Sequence, residues 1–410
     1  MTQDSEALDV VIVSDPRFSG GTSSAMAEEI RTLTEAGRKV GFWRVSTPWW
    51  RDDDREVHPL LQAHIDAGRV RIIDPTETVR VPLVLAEHPV VFRRLPRGRW
   101  PRLVADLAVI VGHHPVTGPD GRLIYDPWWI TRNCRRLFTA PVVWGPISPT
   151  NRASFAAFRA SLPMLKADWT NILRAGDWGQ PRRHGGGRPF VIGRHSRDAP
   201  EKWPTTREDF LAAYPDDPQI EVRLLGYSAA FDRIVGRRPG NWVCLPFNAV
   251  PAAAFLRTID FFVYFHAPYW REAFGRTIAE AIGSGAVVIL PESFRESFGP
   301  AAVYATPQQA VAVARRLWSE PEAYERQSRI AWDWLQQNYG PDAYLATLDR
   351  AMAAAATGAL GEVVDLPTAS QWAPGVVGMR ARFYAEKALS VLGDRLRPLL
   401  RRSEEHTSEL

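Results

Sequence analysis

Cysteine, lysine and long apolar runs are all scarce in this chain. Of its 410 residues two are cysteine, Cys134 and Cys244, and both lie in apolar surroundings without metal-ligand spacing. That pattern argues against a disulfide scaffold or a zinc module and for structural thiols. No apolar run approaches the ~20 residues of a membrane-spanning helix, and the opening MTQDSEALDV lacks the basic and apolar regions of a secretory leader. A cytoplasmic location is therefore expected. The dinucleotide fingerprint G-x-G-x-x-G is absent, which lowers a nicotinamide reading. Net charge is only +4 and nothing resembles a nucleic-acid module, so no nucleic-acid partner is expected.

A hydrophobic fraction of 45% against a charged fraction of 23% is that of a soluble globular protein, and 410 residues exceed one ordinary core. Buried strands are read at residues 10–13, 39–45, 106–111 and 141–144, then at 190–194, 221–226, 242–245, 260–265 and 286–290. Helices are read at 162–173, 308–318 and 324–339. Between 46 and 102 the chain is rich in Pro and Arg, and only fragments at 70–73 and 83–86 are placed. The Gly- and Arg-rich segment 179–189 reads as a linker. The alternation implies an α/β fold of parallel sheets in two domains, 1–180 and 181–340. Residues 341–401 are expected to be helical, part of them packing back on the first domain.

The stretch 272–280, EAFGRTIAE, carries the most chemistry. It lies between two buried strands, and Phe274, Ile278 and Ile282 fall at helical spacing before Gly283 and Gly285. The first amides of a helix have no internal partner and sit at the positive end of its dipole, so Phe274, Gly275 and Arg276 suit a phosphate. Gly275 allows close approach. Helical side chains lean toward the amino end, which turns Glu280 back toward the same place, with Glu272 opposite. Two acids flanking an anion site suit a nucleotide sugar, which has hydroxyls on both sides of its diphosphate.

Glu272-x7-Glu280, with Phe-Gly at the helix start and Ala-x-x-x-Gly before a strand, resembles the signature of the family 4 retaining glycosyltransferases. The resemblance implies the GT-B fold: two Rossmann-like domains facing each other across a cleft, the donor in the second and the acceptor in the first. It implies that Glu272 contacts the donor sugar and Glu280 the ribose. Gly193-Arg194 followed by Lys202 resembles the family's cationic pair on the donor diphosphate. A planar fork and a compact charge would neutralise a leaving group as its bond breaks. No metal and no further cofactor are expected.

Further site residues come from strand ends. Gly20-Gly21, with Thr22, Ser23 and Ser24 as helix caps, forms a Gly-rich loop after the first strand, and in the family such a loop faces the cleft. A plain strand-to-helix turn is the equal alternative. His113-His114 ends the strand at 106–111, where ligands of α/β sheets sit. His113 matches the family's cleft histidine best and His114 is the runner-up. Gly226 and Tyr227 match where relatives pass the nucleotide base. The loop from His266 to Arg271 is longer than in relatives and its role is open.

The expected reaction is sugar transfer from a nucleotide diphosphate donor to a hydroxyl of a saccharide or glycolipid, with retention, in cell-surface polymer synthesis. A non-catalytic nucleotide-sugar scaffold, or a sugar phosphorylase or epimerase on the same fold, are the alternatives. Arg93, Arg94, Arg97, Arg99 and Arg102, and at the other end Arg395, Arg397, Arg401 and Arg402, suit peripheral contact with an anionic membrane surface. A solvated face is the plainer reading. Residues 402–410, RSEEHTSEL, match a translated sequencing adapter and are set aside.

Overall fold

Two parallel sheets organise the protein. The computed structural model describes residues 7–18, 20–46, 56–369 and 375–388. The Arg395–Arg402 cluster and the 402–410 tail lie outside them. Eight strands belong to the first half of the chain: β1 (Val10–Ser14), β2 (Val40–Arg44), β3 (Val70–Ile72), β4 (Thr78–Glu87), β5 (Arg102–Gly112), β6 (Phe138–Thr139), β7 (Val142–Pro146) and β8 (Met164–Leu165). The second sheet contains β9 (Val191–His195), β10 (Glu221–Leu225), β11 (Trp242–Leu245), β12 (Phe261–Val263), β13 (Val287–Leu290) and β14 (Ala302–Tyr304), in the order β11-β10-β9-β12-β13-β14. A last strand, β15 (Val364–Asp365), returns to the first sheet, whose order is β15-β8-β7-β5-β4-β1-β2-β3 with β6 also on β5. Every pairing is parallel except β15 with β8.

Parallel sheets are covered on both faces, so their strands appear as unbroken apolar runs. β1 shows why: Val10 and Ile12 enter one core cluster, while Val11 and Val13 enter another on the opposite face. In the second sheet β13 is buried throughout. The two sheets are tied at the back by a crossing. Helix Pro321–Tyr339 covers the second unit, then helix Pro341–Ala356 lies on helix Gly21–Glu35, β4 and β5 of the first. Tyr344 and Leu348 are buried at that contact, and Arg38 pairs with Asp349 at 2.6 Å. Residues 375–388 are also helical, with Val376 buried in the first unit and Arg380 and Tyr384 each 2.8 Å from Asp126. The fold class expected from the sequence holds.

Three local expectations need correction. Residues 162–173 are not a helix. Pro163 precedes the short β8, and the following chain is irregular, with the Trp169 amide on the Pro146 carbonyl at 2.7 Å. Its apolar residues face the core without helical hydrogen bonds, a case periodicity alone does not separate from a helix. The fragment 83–86 is the centre of the ten-residue β4. The segment 179–189 is fastened to the second unit: the Arg182 amide donates to Ser328 Oγ at 2.8 Å, and its guanidinium to carbonyls of Leu256, Ile259 and Ser284.

Candidate functional site

The carboxyl ends of both sheets converge on a cleft of about 650 Å3, the position where open α/β sheets bind ligands. Chain leaving β1, β4 and β5 supplies one wall, and chain leaving β9, with the loop after β12, supplies the other. Ser148 donates to the Ala273 carbonyl across the gap, and a Cβ on Gly21 would lie 3.7 Å from Arg276 Cδ.

The second-unit wall is built from paired charges. Glu272 accepts from Lys202 Nζ and, at 2.9 Å, from the Tyr264 hydroxyl. Burial alone would raise its carboxyl, but the Lys202 charge and these two hydrogen bonds bring it down to about 2. Lys202 lies 4.9 Å over the Trp270 ring. Helix Arg276–Gly283 starts after Gly275, whose φ of 87° is left-handed and open to glycine at little cost. Phe274 roots this turn in the core against Tyr339, and its neighbouring backbone lines the cleft. Glu280 does turn toward the amino end of the helix, where Arg276 Nε holds it at 3.0 Å. Burial pushes its carboxyl up to about 7, with Arg276 opposing. His195 Nε2 stands 3.3 Å from the other carboxylate oxygen without hydrogen-bond alignment, and burial, then the Arg194 charge, lowers its pKa to about 3.

The first-unit wall is built from neutral rings. His113 and His114 both line the cleft, and burial lowers each to about 4. His113 Nε2 meets the Glu87 carboxyl, which burial raises to about 8. Behind it lies Glu29, raised well above its ordinary value by burial and then by Glu87, and bonded by Tyr344 at 2.5 Å and Trp169 at 3.3 Å. Burial without a counter-ion favours a proton on the acids and none on the imidazoles. His88 is stacked between Phe18 at 4.4 Å and His113 at 6.0 Å, with a left-handed φ of 69° rarely adopted by a side-chain-bearing residue. Gly20 and Gly21 complete this wall, Gly20 at φ 81°.

Most residues named from the sequence meet at this cleft: Gly20, Gly21, His113, Lys202, Glu272, Phe274, Gly275 and Glu280. Two do not. Arg194 is fully buried beneath the wall, sandwiched at 4.3 Å from both the Trp203 and Tyr264 rings. It donates to the Lys202 carbonyl and, at 2.8 Å, to that of Phe265, so it positions Lys202 instead of reaching a ligand. Gly193 is a packing glycine, since a Cβ there would come 2.4 Å from Ile259 Cγ2. The arginine after β9 that does line the cleft is Arg197, which the sequence did not single out, nor did it single out His88 and Trp270. The strand-end rule that marked His113 would also have marked Arg197 and His88. Gly226 sits behind the Ser196 carbonyl, which a Cβ would strike at 1.7 Å, while Leu225 reaches the cleft. Among the described residues no three His, Cys, Asp or Glu side chains are grouped to hold a metal ion. An Asp-x-Asp spacing does occur at 52–54, outside the described residues.

No family model matches the chain, and no curated protein matches it in sequence. Solved structures match its fold. HepE of Anabaena, in complex with UDP and glucose, superposes with a TM-score of 0.56 at 13% identity, over 85% of this chain and 100% of that one. A variant of TarM from S. aureus, in complex with Fondaparinux, alpha-GlcNAc-glycerol and UDP, gives 0.57 at 9% identity, over 84% and 100%. AviGT4, a glycosyltransferase involved in avilamycin A biosynthesis, gives 0.50 at 15% identity, over 86% and 98%. The shared architecture is GT-B: two Rossmann-like units facing each other across a cleft.

Proposed function

We propose that the protein is a glycosyltransferase of the family 4 type, moving a sugar from a nucleotide diphosphate donor to a hydroxyl acceptor with retention. The observation that carries this reading is the second-unit wall. An ionised Glu272 paired with Lys202 stands beside the amide end of helix Arg276–Gly283, facing the Gly20-Gly21 loop. In the proposed reaction the bond from the sugar carbon to the phosphate oxygen breaks while the acceptor oxygen bonds to that carbon, and the leaving phosphate takes the acceptor proton. Lys202, Arg197 and the helix amides stabilise the charge gained by the diphosphate, and Glu272 orients the sugar. Glu280, near its protonation midpoint at neutral pH, pairs with the ribose hydroxyls. His113 faces the donor sugar. These cations supply the countercharge, and the proposal assigns no metal.

The donor is assigned to the second unit, with UDP-sugars the first to try because HepE and TarM were solved with UDP. A role in cell-surface polysaccharide or glycolipid synthesis is part of the proposal. No helix among the described residues is long and apolar enough to cross a membrane. Arg94, Arg97, Arg99 and Arg102 are exposed and suit contact with anionic lipid at the inner face, whereas Arg93 turns inward to the Ile124 carbonyl at 2.7 Å. Co-sedimentation with anionic vesicles at low and high salt tests that contact.

A thermal-shift panel of nucleoside diphosphates and nucleotide sugars tests the main reading. A ligand at a hundred times its Kd should stabilise the fold by about 2.7 kcal/mol, and a panel in which nothing raises the melting temperature sinks it. Binding with neither transfer nor donor hydrolysis would support a scaffold instead.

A further inference from the structure

A buried chain of polar groups connects the crossing helix to the cleft. Tyr344, on helix Pro341–Ala356, donates its hydroxyl to Glu29 Oε1 at 2.5 Å, and Trp169 Nε1 donates to the same oxygen at 3.3 Å. The Glu29 and Glu87 carboxyls are hydrogen-bonded to each other. Two carboxylates have no donor between them, so that contact contains a proton. Glu87 Oε1 meets no N–H donor among the described residues, and Glu87 Oε2 meets His113 Nε2.

The donors along this chain all point one way. With Tyr344 and Trp169 on its Oε1, Glu29 has its proton on the other oxygen and gives it to Glu87. Their mutual bond raises the Glu29 carboxyl and lowers that of Glu87, as it does for a donor and its acceptor. Burial nevertheless raises Glu87 to about 8, which leaves it a proton of its own for His113 Nε2. A neutral imidazole whose Nε2 accepts has its hydrogen on Nδ1. His113 Nδ1 has no hydrogen-bond partner among the described residues, and unlike Nδ1 of His88 and His114 it is not closed off from the cleft. The titratable neighbours do not compete for Glu87. His88 and His114 are neutral by burial, the Arg93 charge acts on those two rings, and Ser14 reaches only the Glu87 carbonyl at 3.2 Å.

We propose that Glu87, backed by Glu29 and Tyr344, is a positioning residue that holds His113 as the Nδ1–H tautomer, so that the ring offers the ligand a hydrogen-bond donor. The identity of that ligand rests on the glycosyltransferase reading, in which the Nδ1–H faces a sugar oxygen. Loss of one proton reverses the polarity: the Glu87 proton moves onto Nε2, the Nδ1 proton leaves to solvent, and Nδ1 becomes an acceptor.

Ring-15N spectra of the full chain, labelled in histidine, test this without any ligand, because they report which nitrogen is protonated. The His113 signals are those lost in His113→Asn or, should that variant not fold, the pair whose alkaline change is lost in Glu87→Gln. At pH 7 they should show Nδ1–H, and by about pH 9.5 Nε2–H. Glu87→Gln, whose amide keeps one acceptor and one donor, should retain Nδ1–H at both values. Glu87→Leu should return the ring to the Nε2–H form that a free imidazole favours. On the same samples the affinity for UDP-glucose, measured against that for UDP, should fall about two- to tenfold in Glu87→Leu and not in Glu87→Gln, the loss expected of one hydrogen bond. Nε2–H at pH 7 in the wild-type chain, or Nδ1–H unaltered by pH and by Glu87→Leu, overturns the proposal. The expected tautomers with no binding of UDP or UDP-glucose would leave it standing and count against the glycosyltransferase reading.

Discussion

The two walls of the cleft bury ionisable groups by opposite means. On the second unit the acids have cationic partners, Lys202 for Glu272 and Arg276 for Glu280, within salt-bridge distance. On the first, Glu87 meets an imidazole and a second acid, and three histidines crowd together without a carboxylate dense enough to hold them charged. Charge therefore survives burial on one wall and is titrated away on the other. A phosphate needs the first kind of surface, whereas uncharged hydroxyls suit neutral rings that each offer one donor and one acceptor.

Breaking the charged wall should have the largest effect. Glu272→Ala should abolish transfer, and it also strands the Lys202 ammonium, for which an unpaired buried partner typically costs about 3–5 kcal/mol of stability. Lys202→Ala should lower turnover by roughly two to three orders of magnitude, the usual loss for one electrostatic donor to a leaving group. Steady-state rates with the donor identified by thermal shift check both. Wild-type turnover in the lysine variant would remove Lys202 from the mechanism. Glu280→Ala should leave turnover nearer normal and weaken donor binding by about 1.5–3 kcal/mol, as loss of a hydrogen bond to a charged group does. Calorimetric titration with UDP, which carries the ribose, against the isolated base separates that effect.

The contrast also has a pH signature. The Glu87 carboxyl is raised in the folded state from 4.5 to about 8, so its contribution is complete below pH 4.5 and disappears as pH rises toward 8. Glu272, lowered to about 2, contributes above 4.5 and loses that contribution as pH falls toward 2. Between pH 7 and 8 the folded histidines are neutral because burial lowers them from 6.5, while in the unfolded chain each gives up the roughly one quarter of a proton it holds at pH 7, which opposes the acids. Glu87 alone should lower stability across that interval by at most about 1.4 kcal/mol per pH unit for its one proton, and Glu280, raised to about 7, adds in the same direction. Glu87→Gln should flatten the decline, measured by denaturant unfolding at pH 7 and 8. An unchanged slope would show that Glu87 is not the neutral member of the wall.

The charged wall was the more legible of the two in the sequence, for a physical reason. Glu272, Gly275 and Glu280 belong to one loop and one helix, so their relative placement follows from helical geometry over nine residues. The neutral wall is assembled from the ends of β1, β4 and β5, which only the sheet brings together. Glu87 and His88 come directly after an apolar run that was legible only in part, and the proton-holding Glu29 is hidden in an ordinary amphipathic helix. Strands were readable because burial on both faces makes them continuous apolar runs. Side-chain direction at the end of β9 was not: Arg194 points into the aromatic layer, and Arg197, three residues on, lines the cleft. Nothing in the local pattern distinguishes the two arginines, because the packing that holds Arg194 comes from Trp203 and Tyr264.

The smallest expected effects come from one glycine on each wall, and they sharpen the contrast. Gly275 and Gly20 have nearly the same left-handed φ, 87° and 81°. A Cβ at Gly275 would lie 2.8 Å from Ile278 Cδ1 and 3.5 Å from Phe294 Cε1, so Gly275→Ala adds crowding of about 1–3 kcal/mol to the backbone strain. At Gly20 nothing stands within 4 Å, but its ψ of −139° lies outside the left-handed helical region that Gly275 occupies at ψ 51°, so Gly20→Ala adds no crowding and costs backbone strain of about 1–3 kcal/mol. Denaturant midpoints measure both costs. The open space at Gly20 has a second consequence, because a methyl group there would project where a ligand approaches the loop. If the donor comes close to that backbone, Gly20→Ala should weaken nucleotide-sugar binding severalfold beyond its stability cost. An unaltered affinity would make Gly20-Gly21 a plain strand-to-helix turn and leave donor recognition to the charged wall alone.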